Sequence, residues 1–164
     1  MTPAPPIPLA AVLPELILLA AGCAVLLLGQ SPRRNLGPGV ALVALVAALA
    51  LVFFRGEPTA VGSGLLYGPL AQFVRISGLE LGILLTLVNW SQARAGERGE
   101  FLSMMLFSLC GLLLVGAANN LLILFLALEL VSIPTYIMVV LSRTSPRALE
   151  AGTKYFYLGA LSAA

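Results

Sequence analysis

A glutamate lies near the middle of a long apolar segment of this sequence. Glu129 stands nine residues after Asn120 and twelve before Leu141, and most of the residues between them are aliphatic. A charge at the centre of a bilayer costs about 2.5–3.5 kcal/mol on insertion scales. Burial disfavours the ionised carboxylate and a nearby cation favours it, so a carboxyl group balanced between them can load and release a proton. We favour this proton-relay interpretation of Glu129 over a static salt bridge between helices.

The only lysine of the chain, Lys154, is the second candidate for proton translocation. It lies about six residues into the next apolar segment, which places it ~9 Å from the start of that helix and roughly 9 Å shallower than Glu129. Its flexible stem or a bridging water could close the gap. We therefore predict a charge-coupled pair of Glu129 and Lys154. The alternative is that Lys154 extends to the lipid headgroups.

Three further polar or helix-breaking positions are secondary candidates. Pro134 cannot donate a hydrogen bond to the carbonyl of Leu130, so we predict a helix break there, with the freed carbonyl binding water or the Ser132 hydroxyl. A plain packing kink is equally compatible with the sequence. Glu80 follows Arg75 by five residues and is expected to be a shallow buried or an interfacial carboxyl.

The segments that carry these residues are typical of membrane-spanning helices. The chain is 60% hydrophobic and only 10% charged, whereas soluble domains are nearer a quarter charged. A helix needs ~20 mostly apolar residues to cross the hydrocarbon. Five segments meet or approach this length, and a sixth starts near residue 148. We predict an all-α, polytopic transmembrane bundle of about six helices, at residues 9–29, 37–54, 70–90, 101–118, 121–141 and from 148 onward.

Composition argues against several other classes of protein. The sequence contains no histidine, and its two cysteines, Cys23 and Cys110, lie in separate apolar segments. Histidine-based triads and histidine-ligated metal or haem sites are therefore excluded. The basic residues form no stripe that could follow a phosphate backbone, so nucleic acid is not expected as a partner. The proline-rich residues 1–8 lack the basic start of a cleaved signal peptide, and the first helix is expected to be retained.

The distribution of arginines predicts the orientation in the membrane. Short cytoplasmic loops are enriched in basic residues. The first, third and fifth loops contain six arginines, whereas the loops on the other side contain Arg55 and at most Arg75. The N-terminus is therefore expected outside, and Glu15, beside Pro14 near the outer start of the first helix, is expected to meet headgroups or a loop. The six arginines are Arg33, Arg34, Arg94, Arg98, Arg143 and Arg147.

Two segments resemble a known family. Residues 118–130, ANNLLILFLALEL, and residues 150–162, EAGTKYFYLGALS, are similar to the subunit N family of bacterial NADH-quinone oxidoreductase, one of the antiporter-like membrane families of respiratory complex I. The resemblance covers roughly the last 45 residues, and the first 100 agree only in hydropathy and helix order. It implies about fourteen helices with two inverted repeats, of which residues 1–118 would precede the first repeat and 119–164 would begin it.

The resemblance also implies a function, cofactors and partners. It places the buried glutamate of the family on Glu129 and its lysine on Lys154, while the later lysines of the family have no counterpart before residue 164. The chain would translocate protons in the bacterial inner membrane, embedded in the lipid bilayer beside other complex I membrane subunits. It would hold no cofactor, with NADH, flavin, iron–sulfur clusters and quinone bound by other subunits. The alternatives are a cation/proton antiporter subunit of the same superfamily and a purely structural membrane subunit.

Overall fold

The described residues form a bundle of six α-helices with one small hairpin. The computed structural model describes residues 9–31, 34–55, 60–61, 64–92, 98–142 and 145–163. Short 3₁₀ turns, Leu9–Ala11 and Arg34–Leu36, precede the first two helices. The helices are α1 (Leu13–Gly29), α2 (Gly37–Arg55), α3 (Pro69–Gln92), α4 (Arg98–Ala117), α5 (Leu121–Leu141) and α6 (Pro146–Ala163). Strands β1 (Ala60–Val61) and β2 (Leu66–Tyr67) pair antiparallel between α2 and α3.

The helix bounds confirm the predicted transmembrane bundle. Four helices, α2 to α5, are long and apolar enough to cross a membrane by length and composition. Helix α1 is apolar but has 17 residues. The 18-residue α6 carries Arg147, Glu150 and Lys154 and is not among the four. The sixth predicted segment is thus a helix, but a more polar one than its neighbours.

Helix α4 forms the centre of the bundle and packs against α1, α2, α3 and α5, whereas α6 packs on α5. The main core consists of buried leucines and small residues contributed by α1 to α4, with Leu130 and Met138 of α5 against it. Gly99 lets α4 approach α1 closely, because a Cβ there would lie 2.7 Å from the Cα of Gly29. Close helix contact at small residues is the usual packing mode in lipid.

The hairpin joins the α4–α5 connection at one end of the bundle. Leu65 forms a β-bridge with Ala118, and the amide of Asn119 donates to the carbonyl of Gly64 at 3.0 Å. The Asn120 side chain accepts a hydrogen bond from the amide of Ile123 at 2.8 Å and caps α5. Helix ends expose unsatisfied amides that such side chains bind, and this fixes where α5 begins and hence the depth of Glu129.

Candidate functional site

Glu129 lies deep in α5. It follows Leu121 by eight residues and precedes Leu141 by twelve, which corresponds to about 12 Å and 18 Å along the helix axis. The residue is half-buried. It forms no hydrogen bond or ion pair with any residue that the structure describes. The carboxyl group thus lies near the middle of α5 without a hydrogen-bond partner among the described residues.

The face of α5 that carries Glu129 is the one turned toward α6. Tyr136 lies seven residues after Glu129, and at about 100° per residue the two are only about 20° apart around the helix. The Tyr136 ring packs edge-on against Tyr155, with ring centroids 4.7 Å apart, and against Phe156, at 5.9 Å. A Cβ at Gly159 would clash with the Tyr136 hydroxyl. Glu129 therefore faces the side of α5 on which α6 packs, and the opposite face meets α4.

The structure does not bring Lys154 to Glu129. Gly152 packs against Val140 of α5, and Lys154, two residues later, is turned about 160° away from that contact. Its ammonium binds the Glu150 carboxylate at 2.6 Å, and the two side chains are 70% and 62% exposed. Because α5 and α6 run antiparallel, Lys154 is about 14 Å from Glu129 in depth. The predicted direct pair is thus replaced by a surface pair within α6.

Pro134 lies within α5, which continues on both sides of it. The predicted break is therefore a missing hydrogen bond to Leu130 rather than an interruption of the helix. The Ser132 hydroxyl was expected at that freed carbonyl, but it donates instead to the carbonyl of Leu128 at 2.8 Å. The Thr135 hydroxyl donates to the carbonyl of Ser132 at 2.6 Å. Hydroxyls bonded to carbonyls of the preceding turn are the usual arrangement for serine and threonine inside helices.

A cavity of about 410 Å³ opens near the C-terminal end of α5 and is bordered by α3, α4, α5 and α6. Its walls are mostly apolar, and its polar lining includes Asn89, Ser142 and Thr135. Thr135 lies six residues from Glu129, about 9 Å along the helix. Thr135 is also turned about 120° around α5 from Glu129, so the cavity approaches Glu129 in depth but opens on another face of the helix.

Sequence reasoning missed a buried ion pair between α1 and α3. Glu15 was expected at headgroups and Arg75 was counted with the outer loops, yet both side chains are only 3% exposed. Arg75 donates to Glu15 Oε1 from Nε at 2.9 Å and from Nη2 at 2.6 Å. Nη2 also donates to the carbonyl of Ala11 at 2.6 Å. The available signal was one acid and one base near the same ends of two helices that run in the same direction.

Tyr67 completes this cluster from the hairpin. Its ring lies under the Arg75 guanidinium, with Cζ 4.0 Å from the ring centroid, the geometry of a cation–π contact. Burial raises the pKa of the Tyr67 phenol, and the negative charge of Glu15 raises it further. Its hydroxyl and Glu15 Oε2 have no hydrogen-bond partner among the described residues. The cluster connects α1, α3 and the hairpin, and its contacts indicate a stabilising role.

Glu80 lies at neither of the predicted locations. It is eleven residues after Pro69 and twelve before Gln92, the middle of α3, so it is not at the interface. Its side chain is exposed on the outside of the bundle rather than buried. A sequence pattern alone gives the depth of such a residue but not the direction in which it faces.

Part of the evidence for the predicted orientation lies outside the described residues. This applies to Arg33, Arg94 and Arg143. Arg75 is withdrawn from the count of loop arginines, because it lies inside α3 in the ion pair with Glu15. The orientation with the N-terminus outside stays a prediction. Within the described part of the chain, no group of three or more cysteine, aspartate or glutamate residues could hold a metal ion.

Comparison with known proteins shows which family the chain resembles. A family model described as "NADH:quinone oxidoreductase/Mrp antiporter, TM" matches residues 118–164, the stretch that contains α5 and α6. NADH-quinone oxidoreductase subunit N 1 of Rhizobium meliloti (strain 1021) is 37% identical over 156 residues, which cover 92% of this chain and 32% of that protein. The chain is thus similar to subunit N over most of its own length. Subunit N of Azorhizobium caulinodans is 36% identical over 163 residues, 94% of this chain and 34% of its own length.

The match to subunit N extends well beyond the segments that first suggested it. Subunit N of Alkalilimnicola ehrlichii is 35% identical over 158 residues, or 92% of this chain. The first four helices therefore share sequence with the family, not only hydropathy. The chain spans about a third of the length of these curated relatives. The predicted division between residues 1–118 and 119–164 stays a prediction.

Proposed function

We propose that this chain is part of a membrane subunit that translocates protons in a proton-pumping NADH-quinone oxidoreductase. The observation that carries the proposal is Glu129: a half-buried carboxyl at mid-membrane depth without a partner among the described residues. The names of the relatives support it, since they are subunits of NADH-quinone oxidoreductase. The chain would span the bacterial inner membrane several times, with its N-terminus outside and other membrane subunits of the complex beside it.

In the proposed mechanism, charge movement in neighbouring subunits changes the electric field at Glu129. Its proton affinity shifts, and the proton passes through buried water and lysines toward the outside. Moving one charge against the membrane potential requires about 2.3 kcal/mol per 100 mV, so the coupling must be strong. Because Glu129 has no cation fixed beside it among the described residues, a change in its surroundings can alter its charge state.

The role of Lys154 in this mechanism differs from that of a fixed partner. Its ammonium is paired with Glu150 on the side of α6 away from α5. The surface pair is exposed and therefore weak, so Lys154 can exchange one carboxylate for another at little cost. We propose that Lys154 acts on Glu129 through its positive charge, by changing its distance from the carboxyl group, rather than as a fixed partner.

The cofactors of the reaction belong to other subunits in this proposal. NADH, flavin, iron–sulfur clusters and quinone would react elsewhere in the complex, and this chain would contribute proton movement alone. The polar side chains of its helices include carboxyl, hydroxyl, amide and guanidinium groups and the ammonium of Lys154; the carboxyl groups can carry protons, and the others can orient water or tune the charge around them.

The test is Glu129→Gln in the complete complex, with Glu129→Asp as the conservative control. We expect Glu129→Gln to reduce proton pumping and the coupled electron transfer about tenfold or more, because an amide cannot load a proton. Glu129→Asp retains the ionisable group and should keep a measurable part of the activity. Pumping is followed by acidification of inverted vesicles and electron transfer by NADH oxidation. Wild-type rates and proton stoichiometry in Glu129→Gln would refute the proposal.

A second candidate function is a cation/proton antiporter subunit, because the description of the matching family model includes the Mrp antiporter. Such a subunit would exchange sodium for protons without a redox reaction. A sodium-dependent pH gradient in vesicles that contain no quinone would favour this function over the first.

A further inference from the structure

Glu80 is an acidic residue at mid-membrane depth on the outer surface of the bundle. It lies about 17 Å from either end of the 24-residue helix α3. The side chains nearest to it along the same outer stripe are large and apolar, with Phe73 68%, Leu84 60% and Leu87 50% exposed. Glu80 forms no hydrogen bond or ion pair with the described residues. The carboxyl group therefore faces away from the described bundle, in the middle of a helix that is long and apolar enough to cross a membrane.

The cation nearest to Glu80 in the sequence cannot neutralise it. Arg75 is five residues earlier, which turns it about 140° around α3. Its guanidinium is already bound to Glu15 and to the carbonyl of Ala11 in the interior. The side chain of Arg75 therefore points into the bundle, whereas that of Glu80 points out of it.

The outer stripe of α3 is also directed away from α5 and α6. Asn89 and Leu85 of α3 line the cavity that borders those two helices. They are turned about 180° and 140° from Glu80. Gly82, about 160° from Glu80, packs against Leu109 of α4 and Leu45 of α2. A helix that packs beside α5 or α6 would therefore not cover Glu80.

The stripe has the shape that a neighbouring helix requires. Ser77, exposed and one turn before Glu80, leaves a notch between Phe73 and Leu84. Small residues of this type allow helices in lipid to approach closely. A charged residue inside a membrane almost always faces protein or water and pairs with another polar group. Lipid tails provide neither water nor a polar group that could pair with Glu80.

We propose that this outer stripe of α3, formed by Phe73, Ser77, Glu80, Leu84 and Leu87, binds a transmembrane helix of a separate subunit. That helix presents a lysine or arginine at the depth of Glu80. A basic side chain is the complementary group because it cancels the carboxylate charge in a medium of low dielectric constant, which a neutral donor does not. The inference rests on the proposed membership in a multi-subunit membrane complex.

The first test is photo-cross-linking in the complete complex with Glu80 intact. A photoreactive amino acid is placed at Leu84 and, as the matched control, at Leu85, which is adjacent in sequence and depth but turned about 100°. We expect position 84 to cross-link to another subunit, within one helical turn of a lysine or arginine. Position 85 should cross-link within its own polypeptide. Cross-links from position 84 to its own polypeptide, to lipid only, or to a helix without a basic residue there would overturn the proposal.

The second test measures assembly. Native gels of solubilised membranes give the amount of complex per amount of subunit for Glu80→Lys, Glu80→Gln and, as control, Ser77→Ala. We expect a loss of about tenfold or more for Glu80→Lys, since two cations would then meet at mid-membrane. Glu80→Gln should lose less and Ser77→Ala nothing. Exchanging the cross-linked basic residue for glutamate should restore assembly of Glu80→Lys.

These outcomes are separate from the test of the proposed function. Wild-type assembly of Glu80→Lys, or no restoration by the exchanged partner, would overturn the docking surface and leave the role of Glu129 unaffected. Conversely, Glu129→Gln is expected to assemble normally, so unchanged pumping in that variant would refute proton translocation without affecting the docking surface.

Discussion

Replacing Arg75 with methionine tests whether the buried ion pair stabilises the bundle. In the structure, Arg75 makes two hydrogen bonds to Glu15 Oε1 and one to the carbonyl of Ala11. Arg75→Met removes all three and leaves a carboxylate that is only 3% exposed without its cation. Removing one partner of a buried pair costs about 3–5 kcal/mol. Because Ala11 also loses its donor, we expect a loss in the upper half of this range.

The double variant Glu15→Met/Arg75→Met separates the uncompensated charge from lost packing. Replacing both members of a buried pair with apolar residues of similar size is often neutral or stabilising by about 1–4 kcal/mol. Against this, the Ala11 carbonyl stays without its donor, which costs about 1–3 kcal/mol. We therefore expect the free energy of unfolding of the double variant to lie within about 2 kcal/mol of that of the wild type. The second substitution would then restore most of the stability that the first one removed.

The assay is the free energy of unfolding of the complete subunit in mixed micelles, from SDS titration followed by circular dichroism. Lys154→Met is the control, because its ion pair with Glu150 is mostly exposed and should contribute less than about 1 kcal/mol. The reasoning would be refuted if Arg75→Met unfolded like the wild type. It would also be refuted if the double variant lost the sum of the two single losses, since the two charges would then act independently.

Two further predictions use the same titration. Gly111→Ala should lower the free energy of unfolding by about 1–3 kcal/mol, because the added Cβ would lie 2.8 Å from the carbonyl carbon of Leu130. As the control, Gly39→Ala in α2, where a Cβ meets no other atom within 4 Å, should leave stability unchanged or raise it by up to about 1 kcal/mol. Equal effects at both glycines would contradict close α4–α5 packing. Tyr67→Phe should be neutral or stabilising, because the lost hydroxyl has no partner among the described residues. Since burial raises the pKa of Tyr67, only the unfolded phenol ionises just above pH ~10. The wild type should therefore lose stability relative to Tyr67→Phe there, and a loss of more than about 1 kcal/mol in Tyr67→Phe at pH 7 would reveal a hidden partner.

Helix positions were predictable because each depends on local sequence. The thickness of the bilayer fixes the length of an apolar segment, and polar residues mark its ends, so the fifth predicted helix and α5 share the bounds 121 and 141. The start of α5 is also determined locally, because the Asn120 side chain caps it. The depth of Glu129 followed directly from these ends, since it requires only a count of residues.

Rotation and pairing were not predictable, because both depend on which helices are neighbours. Glu15 and Arg75 are 60 residues apart, and nothing local shows that α1 and α3 bring them together beside Tyr67. The direction of Lys154 depends on Gly152, which faces α5 and therefore turns the lysine away from it. A sequence gives the depth of a charged residue in a bundle, whereas the close contacts at small residues determine its direction.

The acidic residues inside this membrane bundle differ in how their charge is balanced, and this argues for different roles. Glu15 has a fixed cation and is enclosed by protein, which makes it part of the framework. Glu129 and Glu80 have no partner among the described residues, yet one faces the α6 side and the other faces away from the bundle. If both simply bound neighbouring subunits, Glu129→Gln and Glu80→Gln would both reduce assembly. If Glu129 instead moves protons, Glu129→Gln should assemble fully and lose only proton pumping and the coupled electron transfer. Comparing the assembly and the activity of the two variants in the same membranes therefore distinguishes a proton-transfer residue from a residue that binds a neighbouring subunit.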